Sequence, residues 1–235
     1  MVHVGDGDNG KFIKRVGNFV RQALTPEPKV DKIFNEAGQV IKETTTNYGV
    51  LWKVNSVFTA EYNEAGQISN TENMEYDYAG RMTKYSKDKD GDNNNDYVAT
   101  WEYNEAGKVI KYTVDTDGDG KDDVIANHEY NGDNKLTKST VVEDVNGKHN
   151  RIETREYNGA KIINYTVDKN GDGNNEYTSN SELNEAGQKI KNTFSADINS
   201  DGMPDYTLTT EYDEIGLAIK RTYTSYNSDG EPSVY

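Results

Sequence analysis

A nine-residue loop rich in carboxylates recurs four times in this chain and limits what the chain can fold into. Loops 1 to 4 span residues 88–96, 115–123, 168–176 and 197–205. Each has side-chain oxygens at loop positions 1, 3, 5 and 9, and Gly or Asn at position 6, where the backbone must turn sharply. Oxygens spaced by twos, with a backbone carbonyl at position 7, match the ligand shell that Ca²⁺ requires. The sequence therefore predicts four calcium sites.

The predicted ligands are positions 1, 3, 5, 7 and 9 of each loop, with position 7 contributing its backbone carbonyl. In chain order they are Asp88, Asp90, Asp92, Asn94 and Asp96 in loop 1; Asp115, Asp117, Asp119, Lys121 and Asp123 in loop 2; Asp168, Asn170, Asp172, Asn174 and Glu176 in loop 3; and Asp197, Asn199, Asp201, Met203 and Asp205 in loop 4.

The charge distribution supports this prediction. Of 41 acidic side chains, 15 lie in the four loops, and the 26 that remain equal the 26 basic side chains in number. The net charge of −15 can therefore be placed entirely in the loops, and a net anion is a poor partner for nucleic acid. The alternative is that Asp, Asn and Gly are ordinary turn formers that cap their own backbone. An ordinary turn needs one or two such residues, whereas these loops carry four at fixed spacing.

The loops belong to an internal repeat of 27 residues, marked by Tyr76, Tyr103, Tyr130 and Tyr157. Equivalent anchors continue at Leu183 and Tyr212, with Phe34 and Tyr62 upstream. Most anchors precede a four-residue turn that opens with Asn or Asp and closes with Gly, which is a hairpin signal. These turns span residues 63–66, 77–80, 104–107, 184–187 and 213–216.

The segments between turn and loop are predicted strands, because apolar and polar residues alternate in them. In residues 108–114, for example, Ile110, Tyr112 and Val114 share one face, and Lys111 and Thr113 share the other. The expected fold is all-β: an antiparallel meander of tandem β-hairpin repeats, with tight turns along one edge and calcium loops along the other. Strand twist should coil it into a rolled or barrel-like sheet with the aromatic face inside.

Two segments depart from the repeat. Residues 1–30 are predicted to form a leader and a short amphipathic helix, with Phe12, Val16 and Phe19 on one face, and residues 31–235 form the β-hairpin repeat domain. Residues 142–150 keep the loop length but begin with Val142 where the first ligand belongs, which predicts a vacant or very weak site.

Residues 76–83, Tyr-Asp-Tyr-Ala-Gly-Arg-Met-Thr, resemble the Tyr-Asp-x-x-Gly-Arg-x-Thr signature of RHS/YD repeats, and weaker copies follow at later anchors. The resemblance covers roughly residues 34–235. It implies tandem hairpins that roll into a sheet able to form a shell, in a secreted or cell-surface protein. The loops are similar to those of FG-GAP/VCBS and thrombospondin type 3 repeats. Neither resemblance supplies catalytic residues.

The loops lack the bidentate Glu that raises calcium affinity at position 12 of an EF-hand, because Ala99, Ala126, Ser179 and Leu208 stand there. Affinities in the ~10⁻⁵ to 10⁻³ M range are expected, as in extracellular modules. Such sites would be empty at cytosolic calcium concentrations, so a secreted or cell-surface location is expected.

The leading hypothesis is therefore an extracellular structural repeat module made rigid by calcium, part of a larger adhesin-like or shell-forming protein. The alternative is a carbohydrate- or surface-binding module whose exposed aromatics, such as Trp52 and Trp101, stack on cell-surface glycans. His3, His128 and His149 sit in no recognisable catalytic motif, so no enzyme is expected. No segment is apolar enough for membrane insertion. We expect a monomer whose partners are calcium and other regions of its parent protein.

Overall fold

Strand follows strand along the chain, each pairing antiparallel with its sequence neighbour. The computed structural model describes residues 26–145 and 148–233, and the prediction of an all-β antiparallel meander of tandem hairpins is confirmed. The predicted N-terminal helix lies almost wholly outside the described residues. The chain divides into unit 1, Met1–Thr100 with Thr116–Asp119, and unit 2, Trp101–Asp115 with the residues from Gly120 onward.

Unit 1 begins with β1 (Lys29–Phe34), β2 (Val40–Tyr48), β3 (Val54–Tyr62), β4 (Ile68–Tyr76), β5 (Met82–Asp88) and β6 (Tyr97–Tyr103), whose last three residues belong to unit 2. A single 3₁₀ turn, Val50–Trp52, lies between β2 and β3. Unit 2 continues with β7 (Val109–Asp115), β8 (Val124–Tyr130), β9 (Leu136–Val145), β10 (Lys148–Asn158), β11 (Lys161–Asp168), β12 (Tyr177–Leu183), β13 (Lys189–Ala196), β14 (Tyr206–Tyr212), β15 (Ala218–Tyr226) and β16 (Pro232–Ser233).

The predicted tight turns share one hydrogen-bond pattern, which the turn after β3 illustrates. The Asn63 amide donates to the Gln67 carbonyl at 2.9 Å, and the Asn63 Oδ1 accepts the amides of Ala65 and Gln67 at 3.0 Å. Gly66 closes the turn with φ +76°, in the left-handed region that glycine adopts without a Cβ clash. Asn134 takes the same place at φ +57°, which Asn tolerates better than other residues. Side-chain capping and a left-handed fourth residue thus define these four-residue turns.

The register shifts by one residue at the repeat anchors. Such shifts lie between Glu61 and Tyr62, between Glu129 and Tyr130, and between Glu182 and Leu183. An extra residue in one strand is a β-bulge, which increases local twist and redirects the side chain that follows it. The 27-residue sequence period therefore places a bulge next to each of these turns.

The connections alternate between the two edges of the sheet, as an antiparallel meander requires. In unit 1, loop 1 lies on the same edge as the turn at 63–66, and the turn at 77–80 lies on the other edge. In unit 2, loops 3 and 4 share one edge and the turns at 184–187 and 213–216 share the other. The predicted separation of loops from tight turns therefore holds for loops 3 and 4 in unit 2, whereas in unit 1 the turn at 63–66 shares the edge of loop 1.

The sheet buries small residues rather than large ones. The buried apolar side chains of the described residues are Ala60, Ala99, Val114, Ala126, Val167 and Ala196, and no large side chain among them is fully buried. The aromatic rings are half-buried and contact each other along the sheet face. In unit 2 the rings of Tyr177, Phe194, Tyr206 and Tyr223 follow one another at centroid distances of 6.0, 6.1 and 5.6 Å. Within neither unit do the described strands close into a barrel.

The opposite face is polar and carries cross-strand ion pairs. Lys191 contacts Glu182 at 2.9 Å, and Lys220 contacts Glu211 at 3.0 Å. These side chains are exposed, so each pair contributes about 0 to 1 kcal/mol. The predicted contrast between an aromatic and a wet face is therefore present. Among the described residues, no helix is long and apolar enough to cross a membrane.

Candidate metal centre

The four loops are true connections between strands. β5, β7 and β11 end at position 1 of loops 1, 2 and 3, and β6, β8, β12 and β14 each begin directly after position 9. The position 9 amide returns the chain to the sheet: Asp96 donates to the Lys87 carbonyl at 2.9 Å and Asp205 to the Ala196 carbonyl at 2.8 Å. The hydrogen bonds of the sheet thereby fix positions 1 and 9 at the two ends of the loop.

Two positions in every loop have positive φ. Position 6, where the sequence predicted a sharp turn, has φ +73° at Asn93, +83° at Gly120, +94° at Gly173 and +87° at Gly202. Position 4 is left-handed too, at Gly91, Gly118, Gly171 and Ser200, with φ between +58° and +78°. Sequence reasoning missed position 4, although the recurrence of Gly there in three loops was a visible signal.

Asp88 organises loop 1 from position 1. Its Oδ1 accepts the Gly91 amide at 2.7 Å and its Oδ2 accepts the Asn93 amide at 2.9 Å. Burial opposes ionisation of Asp88, but these backbone donors outweigh it, so the pKa of Asp88 lies below its ordinary value. Carboxylate oxygens of Asp88, Asp90 and Asp96 lie within 4.8 Å of one another. Loop 1 thus brings positions 1, 3 and 9 together around one point.

Positions 5 and 7 of loop 1 are joined to each other. The Asp92 carboxylate accepts the Asn94 amide at 2.7 Å and its side-chain nitrogen at 2.9 Å. Asp92 is not one of the three converging carboxylates, and these hydrogen bonds fix the orientation of its side chain.

Loop 3 builds a similar centre from positions 1, 5 and 9. Carboxylate oxygens of Asp168, Asp172 and Glu176 lie within 4.8 Å of one another, and Asp168 and Glu176 are buried. A hydrogen bond from the Asn174 amide to Asp172 lowers the pKa of that carboxyl group. Asn170 at position 3 donates its side-chain nitrogen to Asp172 at 3.1 Å. Loop 3 therefore keeps three converging carboxylates although position 3 is an amide.

Loop 4 has the same backbone, but within the described residues its carboxylates do not form such a group. The side-chain nitrogen of Asn199 donates to Asp201 at 3.1 Å and to Asp205 at 3.4 Å, so an amide lies between them. Asp197 accepts the Gly202 amide at 2.8 Å, and the Met203 amide donates to Asp201 at 2.8 Å. The predicted loop 4 ligands are present, but fewer charged oxygens converge than in loops 1 and 3.

Loop 2 contributes Thr116–Asp119 to unit 1 and its other residues to unit 2. Within unit 1, the Asp119 amide donates to Asp117 at 3.1 Å. Within unit 2, the Gly120 amide donates to Asp115 at 2.9 Å, and carboxylate oxygens of Asp115 and Asp123 lie within 4.8 Å of one another. Loop 2 thus repeats two hydrogen bonds of loop 1, from the position 6 amide to position 1 and from the position 5 amide to position 3.

The carboxylates therefore do cap their own backbone, as the turn-former alternative holds, but capping does not use all of their oxygens. An ionised carboxylate has about four lone-pair sites. Asp90 accepts one amide through Oδ1, and Asp96 accepts one through Oδ2. Their remaining lone pairs, with those of Asp88, can bind a hard cation. Capping and metal binding are compatible in the same loop.

Neighbouring loops contact each other, which the sequence did not predict. In unit 2, Ser200 donates its hydroxyl to Glu176 Oε1 at 2.9 Å, and the Asp197 amide donates to the Glu176 carbonyl at 2.9 Å. In unit 1, a Cβ on Gly118 would lie 2.2 Å from the Asn95 carbonyl oxygen. Position 4 of loop 2 is Gly because loop 1 packs against it.

Residues 142–150 differ from the prediction of a ligand-poor loop. Strand β9 continues to Val145 and β10 begins at Lys148, with Val142 paired to Ile152 and Asp144 to His149. A run of β-branched residues without Gly at position 4 favours strand pairing over a loop. Residues 142–145 and 148–152 therefore extend two paired strands, and the absence of a competent metal site there stays a prediction.

His128 lies on strand β8 of unit 2. It is half-buried and shares the face of Ala126 and Tyr130, and burial lowers its pKa. Its Nδ1 is buried without a hydrogen-bond partner among the described protein atoms. Because successive side chains of a strand point to opposite faces, His128 lies on the aromatic face with Ala126 and Tyr130.

No protein-family model matches the chain, and no curated protein matches it. It is similar to a porin-like protein from Bacteroides uniformis ATCC 8492, with 13% identity and a TM-score of 0.29, over 88% of this chain and 92% of that chain. It is also similar to the TcdB2-TccC3-TEV structure, with 11% identity and a TM-score of 0.19, over 88% of this chain and 16% of that one. A Photorhabdus luminescens Tc holotoxin pore gives 11% identity and a TM-score of 0.18, over 85% and 15%. At these TM-scores the similarities define neither the family nor the function of this chain.

Proposed function

We propose that this chain is an extracellular calcium-binding structural module, a tandem repeat of the RHS/YD kind that calcium makes rigid. The observation that carries the proposal is the convergence of three carboxylates in each of two equivalent loops, Asp88, Asp90 and Asp96 in loop 1 and Asp168, Asp172 and Glu176 in loop 3. The repeated β-hairpin architecture supports a structural role.

Calcium is the cation that fits these loops best. The donors are all oxygens, which hard cations prefer, and their number and flexibility suit the six to eight ligands of Ca²⁺ better than the strict octahedron of Mg²⁺. Position 12 lies inside the following strand, where Ala99 and Ala126 are buried in the sheet and leave no room for a Glu ligand. Affinity in the ~10⁻⁵ to 10⁻³ M range follows, which matches an extracellular environment.

Calcium would stabilise the loop edge in two ways. An ion at a hundredfold excess over its dissociation constant contributes about 2.7 kcal/mol per site. It also removes the repulsion among the carboxylates of each loop, which burial at Asp168 and Glu176 strengthens. Several sites together would rival the net stability of a domain.

Thermal unfolding with millimolar calcium and with chelator tests this proposal. We expect a shift of several degrees or more between the two conditions, and calorimetric titration should give about one ion for each competent loop. Asp172→Asn in loop 3 should remove one ion from the stoichiometry. Asp133→Asn is the matched control, because it removes the same charge from a tight turn on the opposite edge of unit 2. Superimposable melts, or equal loss of ions in both variants, would contradict calcium binding at loop 3.

We propose further that the module acts as one part of a larger secreted or surface-displayed protein and has no catalytic activity. His128 is the histidine whose side chain lies in the described part of the chain. Its neighbours on the same face of β8 are Ala126 and Tyr130. Ser139 lies opposite His128 on β9, but within the described part of the chain no hydrogen bond joins the two side chains, so they do not form an activated nucleophile and base pair.

A second candidate function, surface or carbohydrate binding, is supported by one exposed aromatic tip in unit 1. Leu51, Trp52 and Tyr78 are 66%, 68% and 85% exposed. Leu51 and Trp52 also have φ of +62° and +64°, a costly conformation for bulky residues. Trp101, the other tryptophan, packs on Tyr112 at 5.2 Å between ring centroids. Glycans that quench the fluorescence of a Trp101→Phe variant but not of a Trp52→Phe variant would support this function, and absence of quenching in both would exclude it.

A further inference from the structure

A cavity of about 320 Å³ opens on the aromatic face of unit 2, away from the loop edge. Strands β10 to β13 supply its walls. Its lining residues are Arg155, Ile162, Tyr165, Ser179, Ser181 and Lys189. The volume falls at the lower end of the range of small-molecule sites, about 300 Å³, which suits a single sugar ring.

Two cations and no carboxylate line this cavity, in a chain with a net charge of −15. The side-chain ammonium group of Lys189 makes no ion pair or hydrogen bond within the part of the chain that the structure describes. Arg155 lies over the Tyr165 ring at 5.5 Å and is paired with Glu153, a buried carboxylate that Arg151 shares at 2.6 Å. The ring and the shared carboxylate hold the Arg155 guanidinium in place, and part of its fork of donors remains for a ligand.

Hydroxyl and amide groups lie beside the cations. Ser179 and Ser181 both donate to the Asn192 side-chain oxygen, at 3.2 and 2.8 Å. Both hydroxyl oxygens keep their acceptor lone pairs, and the Asn192 side-chain nitrogen keeps its two donors. Ile162, 40% exposed, and the Tyr165 ring add an apolar wall. The cavity thus combines positive charge, neutral hydrogen-bonding groups and an apolar surface within one small volume.

We propose that this cavity binds an acidic saccharide, a sugar ring that carries a carboxylate. The carboxylate would bind Lys189 and Arg155 through charge-assisted hydrogen bonds. Ring hydroxyls would bind Ser179, Ser181 and Asn192, and the C–H face of the ring would pack on Ile162 and Tyr165. A simple carboxylate satisfies only the first set of contacts, and a neutral sugar satisfies only the second. The proposal is independent of calcium binding, since none of these residues belongs to a loop.

A matched pair of ligands tests the proposal on the full chain. Methyl glucuronide and methyl glucoside differ only in a carboxylate against a hydroxymethyl group, and acetate supplies the carboxylate alone. Each is titrated into the isotope-labelled protein in the millimolar range at one fixed calcium concentration, with amide NMR shifts as the readout. We expect the glucuronide to shift residues of β11 to β13 and to bind about tenfold more tightly than either the glucoside or acetate. Equal affinity for glucuronide and glucoside, equal affinity for glucuronide and acetate, or no shifts on these strands would overturn the proposal.

Two lysines on the same strand provide the control. Lys189→Gln should weaken glucuronide binding about tenfold and leave the weak glucoside binding unchanged. Lys191→Gln removes the same charge two residues along β13, where the side chain pairs with Glu182 on the polar face, and should leave both affinities unchanged. Equal losses in the two variants would mean that only the overall charge matters, and that result would also overturn the proposal. The amide spectrum of each variant shows whether it remains folded.

Discussion

Replacing Gly118 by Ala tests whether neighbouring loops pack together as the structure describes. Gly118 has φ +76°, and a Cβ there would lie 2.2 Å from the Asn95 carbonyl oxygen and 3.0 Å from the Asp96 Cα. Ordinary van der Waals contact begins at about 3.4 Å, so the backbone would have to move by more than 1 Å. Gly120 in the same loop has φ +83° and no atom within 4 Å of its Cβ position. The two glycines share a backbone conformation and differ in the space around them.

The expected costs follow from this difference. Gly120→Ala should cost about 1 to 2 kcal/mol, the penalty of the left-handed conformation for an L-residue. Gly118→Ala carries the same penalty and adds about 1 to 3 kcal/mol for the forced displacement of tightly packed backbone. Gly118→Ala should therefore be the more destabilising variant by about 1 to 3 kcal/mol.

Urea unfolding followed by intrinsic fluorescence measures both variants against the parent chain, with the slope of the transition checked for equality. Calcium titration should show a parallel effect, because displacement of loop 2 against loop 1 moves ligand positions in both. Equal free energies of unfolding for the two variants would refute the packing of adjacent loops through position 4.

Three further predictions concern the sheet. Burial lowers the pKa of His128 below 6.5, so the folded chain binds that proton less readily than the unfolded chain. The free energy of unfolding should therefore fall as pH drops below 6.5. His128→Leu should flatten this pH dependence in urea unfolding between pH 7 and 5. Glu153→Gln removes the buried carboxylate shared by two arginines and should cost about 1 to 3 kcal/mol, whereas Glu182→Gln, in an exposed pair, should cost less than about 1 kcal/mol by the same assay. Phe194→Ala removes a half-buried ring with a neighbouring ring on either side and should lower the free energy of unfolding by about 1.5 to 2.5 kcal/mol. Tyr223 is 64% exposed at the end of the same series of rings, so Tyr223→Ala should cost under about 1 kcal/mol. Equal costs would contradict a stabilising role for the contacts between these rings.

The sequence was sufficient to predict features that depend on local chemistry. Gly66 and its equivalents marked the hairpins, because a four-residue turn with a left-handed last residue has few alternatives. Alternation in residues 108–114 predicted which face each side chain occupies. The placement of loops on one edge then followed from antiparallel pairing alone.

Features that depend on contacts between repeats were not predictable in this way. The lack of space for a side chain at Gly91 and Gly118 comes from backbone atoms of Ile68 in β4 and of Asn95 in loop 1, which the sequence of a single loop does not contain. Residues 142–150 have the length of a loop, but 142–145 pair with 148–152 and extend two strands, which the sequence of one repeat does not reveal. Curling of the sheet around its aromatic face stays a prediction from strand twist, and in unit 2 the half-buried rings contact one another along that face.

Pairing only between consecutive strands has an evolutionary consequence. Each described strand pairs with the strands before and after it in the sequence, so removing or duplicating a 27-residue segment, two strands long, preserves the antiparallel alternation. Genes for such a chain can change length by recombination between repeats without loss of fold. The number of hairpins can thus vary among descendants, and selection can change the length of the repeat array without changing how each hairpin is stabilised.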